Sequence, residues 1–191
     1  MGVNLSKGGD APLHGTDLTR VLIGLGWQAA DTTGRDVDLD ASALMVGRNG
    51  RVLSDEHFVF YGKLTSPDGS VEHTGDDRTG SGHGDCEVIR VDLAAVPPRC
   101  VRVVFTVSIY EGDRHGQTFG QVRDAYIRVV DEVSSAELVR YDLSEDASKE
   151  TAVIFGELYR HNAEWRFRAV GEGYTTGLRG IAVSYGVDVT S

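Results

Sequence analysis

From Cys100 to Tyr110 every second side chain is apolar: Val101, Val103, Phe105, Val107 and Ile109 run without a break, and Arg102, Thr106 and Ser108 lie between them. A two-residue period puts the two sets on opposite faces of an extended strand, whereas a helix would scatter each set around its axis. The same period recurs at Val21, Ile23, Leu25 and Trp27, and shorter runs span 58–61, 88–93, 125–130, 137–142, 151–159 and 165–170. Turn formers separate the runs, among them Asn49-Gly50, Asp68-Gly69 and His161-Asn162. Asn-Gly and Asp-Gly accept the positive φ that tight hairpins need. No regular strand–helix alternation is visible, and residues 176–185, with Thr175 or Thr176 as N-cap, are the best helix candidate. The pattern predicts a mainly-β fold, an antiparallel two-sheet β-sandwich with a few short helices including one near the C-terminus. Residues 1–191 read as a single domain, with no internal repeat or linker.

One segment interrupts the strand rhythm. Residues 73–87 hold Asp76, Asp77, Asp85 and Glu87 among Gly75, Gly80, Gly82 and Gly84. Glycine weakens both helices and strands, so this stretch reads as a tight loop. Carboxylates crowded there repel one another unless a hard cation sits between them, and calcium takes six to eight oxygen ligands in flexible geometry. A second acidic run, Asp36, Asp38 and Asp40, alternates with Val37, Leu39 and Ala41. On a strand those three carboxylates share one face at a spacing of about 7 Å. An EF-hand is excluded, because Ala41 and Gly47 stand where that loop needs Gly and Glu. A third cluster, Asp142, Glu145, Asp146 and Glu150, is equally compatible with a capped helical turn. The competing interpretation of the acidic runs is a solvated face or a metal-free surface for a basic partner.

A formal net charge of −10 argues against nucleic-acid binding, and no twenty-residue apolar run is present for membrane insertion. With no signal-peptide hydrophobic region, a cytoplasmic location is expected, and Cys86 and Cys100 are then reduced thiols. His83 and Cys86 offer one zinc-type ligand pair without the second. Gly24-Leu-Gly26 fits a dinucleotide fingerprint only if a helix follows, and Asp31-Thr-Thr-Gly34 does not start one. The scattered histidines read as surface residues. No nucleophile is paired with a base, so the chain reads as a non-enzyme. The alternative is a thiol-dependent enzyme using Cys86 and Cys100, although Asp85 and Glu87 disfavour a Cys86 thiolate.

Ordered blocks along nearly the whole chain resemble the TerD tellurium-resistance and stress-response family. They include residues 2–9, 21–27, 38–42, 75–80, 116–122, 140–146, 154–160 and 165–170. The resemblance implies a calcium-binding β-sandwich in a cytoplasmic bacterial protein, acting as a non-catalytic regulatory or scaffold module. It also implies one or two Ca2+ ions, with other Ter-type proteins at the inner membrane face as partners. By the family pattern the sites draw on the Asp38-Leu39-Asp40 strand and the 75–87 loop, and the candidate metal residues are Asp36, Asp38, Asp40, Asp76, Asp77, Asp85 and Glu87, with Glu150 as a second-tier candidate. Ser81, His83 and Cys86 stand where the family loop carries acids, which predicts a weaker or missing second site.

Overall fold

A computed structural model describes residues 2–15, 17–29, 37–76, 84–143 and 148–190. In chain order its strands are β1 (Val3–Leu5), β2 (Asp10–Pro12), β3 (Arg20–Ala29), β4 (Leu39–Gly47), β5 (Phe58–Val59), β6 (Val71–Asp76), β7 (Glu87–Asp92), β8 (Cys100–Ile109), β9 (Val122–Asp131), β10 (Glu137–Asp142), β11 (Ala152–His161) and β12 (Glu164–Tyr174). Two helices accompany them, α1 (Gly112–His115) and α2 (Gly177–Ser184). The strands form two six-stranded sheets. Sheet A is ordered β1-β10-β9-β3-β7-β6 and sheet B is ordered β2-β12-β11-β8-β4-β5. The fold is therefore the expected mainly-β sandwich.

Alternation sets the layers. Ile23, Leu25, Ile89, Val91, Ile127 and Val129 from sheet A meet Ala41, Ala43, Val103, Phe105, Phe155 and Phe167 from sheet B in one buried core. The opposite face of sheet B has its own apolar layer, in which Leu44, Val104 and Ile154 receive Ile181 and Ala182 of α2 and Val187 beyond it. That layer explains why Thr106 is fully buried although it lies on the side of β8 away from the main core. Among the described residues the outer face of sheet A has no such cover and carries paired charges instead, including Arg90 with Glu132 and Arg140 with Asp142.

Several expectations shift. β4 begins at Leu39, so Asp38 precedes the strand, and Asp36 lies outside the described residues. β6 carries the strand through Gly75 to Asp76, with a bulge between His73 and Asp76 and Gly75 at φ 82°. Glycine is tolerated there because β6 is the edge of its sheet. β1 pairs with β10 in parallel, the one parallel ladder among the described strands. The C-terminal helix follows Thr176 as expected.

Candidate functional site

Strand register places the acidic segments at one end of the sandwich. Ala29 closes β3 opposite Val122, Leu39 opens β4 opposite Ile109, and Asp76 and Glu87 face each other at the end of β6 and the start of β7. Asp142 ends β10 beside Tyr126, and Ala152 opens β11 beside Ser108 and Tyr174. The end of β3 and the start of β4, the end of β6 and the start of β7, and the end of β10 and the start of β11 therefore all lie at this same end. Hydrogen bonds tie the two sheets together here. The Glu87 carboxylate accepts from the Ala41 N–H, the Phe119 N–H donates to Glu150 O at 2.8 Å, and the Thr118 hydroxyl donates to Ser148 O at 2.9 Å.

Glu87 is buried and faces inward with Ile89 and Val91. Its partner Ala41 lies where β4 extends beyond the short pairing with β5, so the carboxylate occupies an otherwise open strand edge. The buried His73 stands beside it, with Nε2 3.4 Å from Glu87 Oε2. Asp40 lies on the other face of β4, opposite Ser108 and in line with Ser42, whose hydroxyl bonds to that of Thr106. Asp38 is exposed, and its carbonyl accepts from the Tyr110 N–H at 2.8 Å. Glu150 lies against Gly173, where a β-carbon would overlap it, and accepts from the Lys149 N–H at 3.0 Å.

Asp85 has a different setting. Its two oxygens take the Arg128 guanidinium side-on at 2.8 and 3.0 Å, and Tyr126 donates its hydroxyl to the same carboxylate at 2.9 Å. The carboxylate lies directly over Gly24, and Tyr126 lies over Gly26, so a β-carbon at either glycine would overlap its neighbour. This is the reason for the Gly24-Leu-Gly26 pair: it is a bare floor for a charged cluster on the outer face of sheet A. Burial and the adjacent Asp85 push the Tyr126 hydroxyl up to about 12, and the Asp85 hydrogen bond raises Arg128 further above its ordinary value.

The structure thus brings Asp38, Asp40, Asp85, Glu87 and Glu150 to one end of the molecule but onto different faces. Asp85 points outward from sheet A, Glu87 between the sheets, and Asp40 outward from sheet B. Among the described residues no three His, Cys, Asp or Glu side chains stand close enough to share an ion. Asp36, Asp77 and the side chain of Asp76 lie outside the described residues, as do Ser81 and His83. Two histidines overturn the surface expectation. His57 and His73 are both buried, because each meets a carboxylate, Asp68 and Glu87 respectively. Those partners are distant in sequence, and no local pattern announces them.

The thiols lie far apart. Cys86 flanks β7 beside Leu25, at the acidic end, whereas Cys100 opens β8 opposite Gly47, at the far end of β4. The six residue steps from Ala41 to Gly47 span about 20 Å of strand. Burial raises both thiols, Cys100 to about 11, and Asp85 and Glu87 add to the effect at Cys86.

The described residues define a two-sheet β-sandwich whose acidic strand ends gather at one end. Residues 1–185 match the TerD domain. The chain is 51% identical over 192 residues to the tellurium resistance protein TerD of Serratia marcescens, covering all of both chains. It is 45% identical over 192 residues to general stress protein 16U of Bacillus subtilis (strain 168), covering 99% of this chain and all of the other. The crystal structure of a telluride-resistance homologue from Streptomyces coelicolor A3(2) superposes with a TM-score of 0.68 at 26% identity, covering 86% of this chain and 95% of that one. The chain belongs to the TerD domain family of tellurium-resistance and stress-response proteins.

Proposed function

We propose that this protein is a non-catalytic, calcium-binding regulatory or scaffold module of the stress response. The observation that supports the reading is the Glu87–Ala41 bond, which locks the start of β7 to the start of β4, the strands that two acidic segments of the sequence lead into. The donor set is all oxygen and rich in carboxylates, which suits calcium better than a transition metal. With Asp85 engaged by Arg128 and Tyr126, the residues that would hold the ion are Asp36, Asp38, Asp40, Asp76 and Asp77, supported by Glu87 and Glu150. When bound, calcium would supply charge neutralisation and cross-linking; the chain itself supplies a rigid sandwich that positions the loops. The same end then changes its surface with calcium and offers it to a partner, with other Ter-type proteins at the cytoplasmic face of the membrane as the proposed class.

Thiol chemistry finds little support, because the two cysteines sit at opposite ends of β4 and both thiols are held protonated. Calorimetric titration of chelator-treated protein with calcium is the direct test. Saturable uptake of one or two ions is expected, and replacing Asp38 and Asp40 by Asn should weaken it at least tenfold. Absence of any calcium heat, with the fold intact by circular dichroism, would overturn the reading.

A further inference from the structure

A cleft of about 380 Å³ opens at the acidic end on the outer side of sheet B, between the start of α2 and the turn containing α1. Three features of its lining point to an anion. The first is Thr151, which is 5% exposed; its N–H donates to Tyr174 O and its carbonyl accepts from Ile109, but its buried hydroxyl has no hydrogen-bond partner. The second is the start of α2, whose first-turn N–H groups have no intrahelical acceptor and whose N-cap Thr176 makes no side-chain cap. Gly177, at φ 66°, leaves this helix start open directly over the Thr151 hydroxyl. The third is Arg179, which lines the cleft yet forms no ion pair among the described residues, unlike Arg90, Arg128, Arg140, Arg166 and Arg168.

The other wall carries the opposite charge. Asp40, Glu111 and Asp113 line the cleft together with Arg114, which is paired with Glu111 at 3.0 Å, and with Arg179, so three carboxylates and two guanidiniums leave the lining formally −1. A divalent ion held at Asp40 reverses that balance to +1. We propose that this cleft binds a small oxyanion group, a phosphate, sulfate or carboxylate, and that cation loading of the acidic end switches the binding on. The switch rests on the calcium reading above; the anion site rests on Thr151, Arg179 and the helix start alone.

Sulfate is the probe, titrated into full-length protein with calcium and with chelator and followed by amide NMR. Saturable shifts at Gly177, Leu178 and Arg179 are expected in calcium, weakened at least tenfold by chelator. Arg179→Ala and Thr151→Val should each weaken binding severalfold. Because Thr151→Val keeps the side-chain shape and removes only an unpartnered hydroxyl, its melting temperature should hold or rise, whereas a purely structural hydroxyl would lower it. Co-sedimentation with anionic phospholipid vesicles in calcium would place the oxyanion on a lipid; sulfate shifts without co-sedimentation place it on a soluble molecule. Non-saturable shifts scattered over the surface, meaning an adventitious ion only, overturn the proposal. Equal sulfate affinity with and without calcium, while calorimetry records calcium uptake, overturns the switch and leaves the calcium reading standing. Failure of calcium uptake with sulfate shifts intact has the converse meaning, so the two readings fail separately.

Discussion

Gly24 shows how one missing methyl group organises the outer face of sheet A. Asp85 reaches Arg128 only because nothing rises from the strand beneath it. Gly24→Ala forces the carboxylate or the strand to move, and about 1–3 kcal/mol of stability should be lost in denaturant melts. In a double-mutant cycle with Asp85→Ala the losses should be strongly non-additive; simple additivity would deny the contact. His57 offers a test in pH. Burial pushes its pKa below the ordinary 6.5, Asp68 opposes that shift, and Arg99 adds to it. The unfolded chain therefore takes up a proton near 6.5 that the folded chain refuses. This contribution is complete above 6.5 and is lost as pH falls from there toward the depressed folded value. The drop in stability between about pH 7.5 and about pH 5.5 should be shallower in His57→Gln, and an unchanged slope would remove His57 from the account. Neither residue was legible from local sequence. The glycines fit a nucleotide fingerprint that lacks its helix, and the histidines read as surface residues, because their partners lie across strands rather than along the chain.

At the scale of elements, α2 converts the second face of sheet B from a surface into a core. Ile181 is fully buried against Leu44, Val104 and Ile154. Truncating it to alanine should cost about 2–5 kcal/mol and leave the main inter-sheet core in place. Urea melts should report the loss, while the spectroscopic signature of the sheets persists below the new midpoint. This helix was legible, since its apolar residues and Thr176 stand in helical order after the last strand. The long central strands were legible too, because unbroken alternation needs no tertiary information. β1 and β2 were not: each has three residues, too few for a period, and each is defined by a partner more than a hundred residues away. β6 was obscured by its own glycine and acids, whose strand geometry depends on pairing with β7. For the acidic runs, the sequence named residues that do gather at one end, but alternation along β4 and β7 turns their side chains to separate faces.

At the scale of the whole molecule, the acidic connections concentrate repulsion at one pole. If calcium relieves it, a hundredfold excess over the dissociation constant should stabilise the fold by about 2.7 kcal/mol. For a chain of this length that corresponds to a rise of about 5–10 °C in melting temperature over chelated protein, and coincident melts would contradict it. The opposite closure of the sandwich depends on the N-terminal residues, which cross from the β1 edge of sheet A to the β2 edge of sheet B. β1 rests on residues 139–141 and β2 on residues 166–168, both far along the chain from the strands they hold. During translation β1 and β2 must therefore wait, unpaired, until partners more than a hundred residues further along the chain have emerged before they can dock.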